Sequence, residues 1–187
     1  DAEVFGVSKS IPTNPSHYHV LTLSKIIKSR FVDIKNFVKL KKTIMNFKPD
    51  YIFHFAAQSI VSKSYEDPIG TWETNTMGTL NILETLRTFK HNCVAVIITS
   101  DKSYRNFEIK RGYLENDILG GNDPYGGSKA AAEIGIRTYF ESFLKNKKNI
   151  KIGVARAGNV IGGGDWTNNR LIPDCIRGWS KNRPVII

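Results

Sequence analysis

Two short segments carry residue types that could do chemistry, Ser100-Asp101-Lys102 and Tyr125-Gly-Gly-Ser-Lys129. A tyrosine four residues ahead of a lysine shares a helix face with it. The ammonium then favours the phenolate, which makes Tyr125 a usable base near neutral pH. Alone, that spacing arises often by chance, and its plain reading is a solvated helix face. The upstream triplet raises it, because there an apolar run ends in a hydroxyl, a carboxylate and an amine.

Both segments have elements to position them. Asp123 can cap a helix and Pro124 suits its first position. Ala130, Ala131, Ile134, Tyr139, Phe140 and Phe143 predict a broad apolar stripe along it. Tyr125 and Lys129 then sit in the first turns. Val94 to Thr99 is a continuous apolar run, as expected of a strand buried on both faces. Ser100, Asp101 and Lys102 follow its carboxyl end, the edge of an open parallel sheet where ligands bind.

The rest of the chain alternates strand and helix. Glu3 to Ser8 reads as a strand. Phe37, Leu40, Ile44 and Phe47 form a helical stripe, and an apolar strand runs from Tyr51 to Phe55 after Pro49. A long helix is expected from about Trp72 to Phe89, then the Val94 strand, a loop with Gly112, Gly120 and Gly121, the Tyr125 helix, and a strand from Ile150 to Ala155. A glycine-rich loop, Gly158 to Gly164, leads to a last helix near Leu171 to Trp179. Such alternation predicts a doubly wound parallel α/β sheet.

The 187 residues fit a single domain, with a substrate-binding region starting near 165. No apolar run approaches the ~20 residues of a membrane span, so no membrane partner is expected. Cys93 and Cys175 form no disulfide framework, which points to a reduced, cytoplasmic setting, and neither has a zinc site's neighbours. The net charge of +10 is spread, as in Lys39-Leu-Lys-Lys42 and Lys145-Asn-Lys-Lys148. It reads mostly as solvated faces, with attraction to anionic ligands as the alternative. No Gly-x-x-Gly-x-x-Gly turn precedes Glu3, although a dinucleotide's pyrophosphate needs one. Gly162-Gly163-Gly164 comes too late in the topology to serve. The final Arg183-Pro-Val-Ile-Ile187 reads as mid-strand, and a fragment is the simpler expectation.

With these residues laid out, the chain resembles the extended short-chain dehydrogenase/reductases that dehydrate nucleotide sugars. The likeness is carried by HFAAQSIVSKSYEDP (54–68), TNTMGTLNILE (74–84), ITSDKSYRN (98–106), GYLENDILGGNDPYGGSK (112–129) and ARAGNVIGGGDWTNNRLIPD (155–174). The dTDP-sugar members carry Thr-Asp-Glu at the catalytic strand end, whereas Ser100-Asp101-Lys102 is similar to the members acting on CDP-glucose. The resemblance implies a Rossmann-like sheet lacking its first βα unit and its C-terminal substrate-binding part, NAD as cofactor, CDP-glucose as substrate and a homo-oligomer, dimer or tetramer. Nucleic acid is not an expected partner.

It also implies roles. Tyr125 takes the C4 hydroxyl proton, Lys129 lowers the phenol's pKa and holds the cofactor's ribose, and Ser100 bonds the C4 oxygen. Lys102 and Asp101 divide proton removal at C5 and protonation of the leaving C6 hydroxyl between them. A lysine beside a carboxylate is a poor base unless desolvated. The cofactor side comprises Ser8, Asp33, Ile34, Phe55, Ala56, Ala57, Gln58, Asn75, Thr99, Ala157 and Gly158. The substrate side comprises Asn159, Arg170, Leu171 and Ile172. One departure stands out: Ser8-Lys9 occupies the place of the acid that usually bonds the adenosine ribose.

Plainer readings stand beside these. Asp33 could only cap a helix, Asn75 could only tie backbone groups together, and His54 suits a satisfied core histidine. Two rival functions remain on the sequence: another nucleotide-sugar epimerase or dehydratase, and a non-catalytic cofactor-sensing or nucleic-acid-binding protein on the same scaffold.

Overall fold

The computed structural model describes residues 2–185. They group into two compact units, one of residues 1–32 and 159–187 and one of residues 33–158. Every strand pairing is parallel, as the alternating pattern predicts.

In the first unit, β1 (Phe5–Ser8) pairs with β2 (Lys28–Phe31), Phe5 opposite Lys28. The mostly polar β2, Lys-Ser-Arg-Phe, carries no apolar signal, which is why the periodicity missed it. Between them lies the short helix α1 (His17–Val20), capped by the Ser16 hydroxyl. In the chain's later part Gly164 has φ +80, and a Cβ there would meet the His17 ring at 2.6 Å. Only glycine suits that turn. Of the strand expected at 183–187, residues 183–185 are irregular and Ile186 and Ile187 lie outside the described residues.

The second unit holds the sheet β3 (Tyr51–His54), β4 (Cys93–Ser100), β5 (Ile150–Ala157), with β4 central. α2 (Phe37–Phe47) begins at Asn36, whose side chain accepts from Lys39 N. After β3 come α3 (Val61–Glu66) and α4 (Pro68–Trp72). The long helix expected from about Trp72 to Phe89 is present and continuous with α4, and it carries a π turn, Glu73–Met77, before α5 (Gly78–Thr88). A Cβ at Gly78 would lie 2.4 Å from Ile34 Cδ1, so the backbone approaches that buried side chain as only glycine allows.

The core gathers Leu40, Leu83, Leu86, Phe89, Ala95, Ile97 and Leu144. Each large aliphatic side chain buried this way stabilises the unit by about 1.5–3 kcal/mol. β4 alternates buried and half-buried positions instead of being buried throughout. Lys147 is more than a solvated charge: its Nζ donates to the carbonyls of Arg87 and Phe89 at 2.7 and 3.2 Å, closing the end of α5.

α6 (Pro124–Tyr139) starts where expected, with Asp123 Oδ1 accepting from Gly126 N at 3.0 Å. Its inner face differs from the predicted stripe. Of the predicted stripe Ala130 is buried, but the other buried residues are Tyr125, Gly126, Ser128, Lys129, Ala132, Glu133 and Ile136, while Ile134, Phe140 and Phe143 are exposed. A π turn, Phe140–Leu144, extends the helix and brings Leu144 inward in place of Phe143. The last helix, α7 (Leu171–Trp179), lies in the first unit.

Candidate active site

The helix cap and the glycines after it place Tyr125 and Lys129 beside the end of β4. Both are buried. Lys129 Nζ donates to Ile98 O at 3.2 Å, using one of its three N–H donors. Burial lowers its pKa to about 8, and the Glu133 carboxylate one turn on opposes that fall. The ammonium is therefore poised close to neutrality, where its charge can be lent to a phenol.

The turn that follows β4 is built by Ser100. Its Oγ accepts from Lys102 N at 3.2 Å and donates to Asp101 Oδ1 at 3.1 Å. Asp101 and Lys102 themselves are exposed, so this unit does not supply the desolvation that a lysine base needs. A Cβ at Gly126 would lie 2.7 Å from Lys102 O, and one at Gly121 would lie 2.2 Å from Gly126 C. These glycines let α6 press its first turn against the Lys102 backbone. Gly158, after β5, faces the Asp101 carboxylate: a Cβ there would sit 3.6 Å from Oδ2.

Behind these groups runs a continuous polar chain. The π turn points Asn75 inward, in keeping with the frequent use of such turns at functional sites. Asn75 Oδ1 accepts from Gln58 N at 2.8 Å, and its Nδ2 donates to Gln58 O and Ser128 Oγ, each at 2.9 Å. Ser128 Oγ in turn donates to Tyr125 O at 2.7 Å. Asn75 thus clasps the exit of β3 to the Tyr125 helix, the tie between backbone groups that its plainer reading describes. His54 is a buried core histidine whose Nε2 is 3.0 Å from Thr79 Oγ1. That hydroxyl gives its own proton to Asn75 O at 2.7 Å, so the imidazole is the donor to it. Burial, then the Lys129 charge, push the ring down to about 4, and it is neutral at pH 7.

The remaining expected residues are distributed as follows. Phe55 is exposed, and Ala56, Ala57 and Gln58 are half-buried at the end of β3, beside the end of β4. Thr99 is buried and Ala157 half-buried on adjacent strands. Asp33 Oδ1 accepts from Lys35 N at 2.9 Å, and Ile34 is buried against Gly78. Ser8, Asn159, Arg170, Leu171 and Ile172 belong to the first unit, with Ser8 at the end of β1 and Arg170 heading α7. The second unit brings together Gln58, Asn75, Thr99 to Lys102, Tyr125, Lys129 and Gly158.

Residue typing missed Glu133, Ser103 and Arg156. Glu133 is a buried carboxylate accepting from Thr99 Oγ1 at 2.7 Å, from Ser103 Oγ at 3.1 Å and from Arg156. A signal existed. Glu133 follows Lys129 by one helical turn, beside Ala130 and Ala132 on the same helix, and a carboxylate buried there demands a partner.

The parallel α/β units and a Tyr-Lys pair on the helix beside the end of β4 define a Rossmann-like fold of the short-chain dehydrogenase/reductase type. Residues 3–152 match the family model described as GDP-mannose 4,6 dehydratase, and the chain belongs to that family. It is 45% identical to a CDP-glucose 4,6-dehydratase of Salmonella typhimurium over 190 residues, covering 100% of this chain and 53% of that one. A UDP-glucose 4-epimerase of Mycoplasma pneumoniae is 28% identical, with 95% of this chain and 53% of the relative covered. Among solved structures, a dTDP-glucose 4,6-dehydratase of Streptomyces venezuelae, with NAD and TYD bound, superposes with a TM-score of 0.80 at 23% identity, over 96% of this chain and 53% of the other; it shares the fold. The chain spans about half the length of the curated relatives it matches.

Proposed function

We propose that this chain belongs to a CDP-glucose 4,6-dehydratase that converts CDP-glucose to CDP-4-keto-6-deoxyglucose and water. The observation that carries the reading is the packing of the Tyr125 helix against the Ser100-Asp101-Lys102 turn through Gly126. It is supported by the 45% identity along the whole chain to a protein of that name. A strand end with hydroxyl, carboxylate and amine, next to a tyrosine-lysine pair, suits a reaction that needs one base for oxidation and an acid-base pair for elimination.

Tyr125 accepts the proton of the C4 hydroxyl. Lys129, with N–H donors to spare beyond its bond to Ile98 O, lends its charge to the phenol and holds a ribose. Ser100 bonds the C4 oxygen. Once C4 is a ketone, the C5 proton is acidified, and Lys102 removes it while Asp101 protonates the departing C6 hydroxyl. Substrate seated over the exposed Lys102 excludes water and so favours its neutral form.

The residues present fit an NAD cofactor. Half-buried Ala56 and Ala57 leave the backbone at the end of β3 open to a flat ring, and the Lys129 ammonium can reach a ribose hydroxyl. When bound, NAD would supply the hydride chemistry that links C4 and C6, and the proton taken up by Lys102 returns to C5 to complete the 4-keto-6-deoxy product. Asp33, Ile34, Phe55 to Gln58, Asn75, Thr99, Tyr125, Lys129, Ala157 and Gly158 would hold it. Asn159, Arg170, Leu171 and Ile172 would hold the nucleotide sugar. No helix among the described residues is long and apolar enough to cross a membrane. With Cys93 and Cys175 free and buried, we place the enzyme in the cytoplasm, as a homo-oligomer.

A second reading, a 4-epimerase acting on another nucleotide sugar, is favoured by the 28% identity to a UDP-glucose 4-epimerase. Incubating the whole protein with CDP-, dTDP- and UDP-glucose and identifying products separates the two. A 4-keto-6-deoxy sugar from CDP-glucose supports the dehydratase; a C4 epimer, or no product from CDP-glucose, overturns it.

A further inference from the structure

The triplet Ser100-Asp101-Lys102 forms a short arch, and both its feet rest on one carboxylate. Thr99, before the arch, donates to Glu133 Oε1 at 2.7 Å. Ser103, after it, places its hydroxyl 3.1 Å from the same oxygen and 2.6 Å from Ser100 O, one proton serving both. Glu133 stands on α6, one turn beyond Lys129 and two beyond Tyr125. A third element closes the arrangement: Arg156 on β5 meets the carboxylate with Nε at 2.7 and 2.9 Å from its two oxygens and with a further close contact from Nη2. The far side of the guanidinium lies over the Tyr104 ring, 4.5 Å from its centroid, and Nη1 donates to Glu115 O at 3.0 Å.

Stability alone is a weak reason to keep such a group. A buried ion pair contributes little over a well-packed apolar pair of similar volume. What it does confer is position. Loss of the carboxylate would free both feet of the arch at once, while α6 kept its cap and its apolar contacts. We propose that Glu133 is a positioning residue that holds the Ser100–Lys102 arch at a set height against Tyr125 and Lys129, without touching substrate. This deepens the dehydratase reading and rests on it for its catalytic consequence, though the mechanical part stands on the hydrogen bonds alone.

The test uses two variants of the whole protein, Glu133→Ala, which removes the acceptor of both feet, and Ser103→Ala, each read by hydrogen exchange and by kinetics with CDP-glucose. In both, amide exchange at 100–104 should quicken by ~10-fold or more while residues 94–98 of β4 keep wild-type protection. Turnover, kcat, should fall ~10–100-fold with KM within about threefold, because a misplaced arch harms the reacting geometry more than binding. The double variant should fall short of the sum of the two single effects, since both remove the Ser103–Glu133 contact while Ser103→Ala alone also removes the bond to Ser100 O. Wild-type exchange at 100–104 in either folded variant, or equal loosening of β4 and the arch, overturns the proposal. If Glu133→Ala does not fold, Ser103→Ala, which deletes only one hydroxyl, decides between these outcomes. A wild type inactive on CDP-glucose overturns the functional reading, while the exchange pattern still decides for or against the arch.

Discussion

The carbonyl of Lys102 lies 2.7 Å from where the first side-chain carbon at position 126 would stand, so Gly126 and Lys102 touch backbone to backbone. One half of the candidate chemistry, on a helix, is thereby pressed onto the other half, on a strand-end turn. The same added carbon would stand 3.0 Å from Gly121 Cα, so it would press on backbone from two segments at once.

Gly126→Ala should therefore destabilise the protein by about 1–3 kcal/mol, the usual cost of overpacking. It should also lower turnover beyond what the lost folded fraction explains. Chemical denaturation with kinetics at a temperature where the variant is fully folded checks this. Full activity with unchanged stability would mean that the Lys102 carbonyl gives way freely.

Tyr125→Phe removes the phenol and leaves the ring. Turnover of CDP-glucose should drop at least ~100-fold, the worth of a positioned proton-transfer group, and substrate affinity should hold. Calorimetric binding beside a product assay separates the two effects.

Lys102→Met separates oxidation from elimination. A deuterium at C5 should stop exchanging with solvent and no 6-deoxy product should form, while oxidation at C4 continues through Tyr125, Lys129 and Ser100. If oxidation is lost together with C5 exchange and both ligands still bind, Lys102 orients the first step and the division of roles is wrong.

His54 titrates at about 4 in the fold, below the ordinary histidine value near 6.5, through burial and the Lys129 charge. Between these pH values the unfolded chain binds the extra proton, so stability should fall as pH drops from ~6.5 to ~4. The loss attributable to His54 is up to about 3 kcal/mol. His54→Gln should flatten this part of the profile in urea unfolding across that range. An unchanged slope would place the acid sensitivity elsewhere.

Much of the site was legible because its residues are neighbours along the chain. Tyr125 and Lys129 share a helix face by spacing, Asp123 and Pro124 announce the helix start, and the apolar run before Ser100 announces the strand. Local chemistry and period suffice for such features. The π turn at Glu73–Met77 was not legible, because its residues Glu-Thr-Asn-Thr-Met continue a helical sequence, and the contact of Gly78 with Ile34 that follows it joins residues 44 apart in the chain. The inner face of α6 was misjudged for a related reason. Periodicity assumes that apolar residues face inward, and here the inward positions are taken by Tyr125, Ser128, Lys129 and Glu133, whose burial is repaid by partners on other elements. By itself, then, the sequence determined the parallel α/β alternation and the types and order of the candidate catalytic residues. Only the tertiary structure decided that one carboxylate, Glu133, joins Thr99, Ser103 and Arg156, because a buried charge is tolerated only where the fold brings its partners, and no spacing within one segment records that.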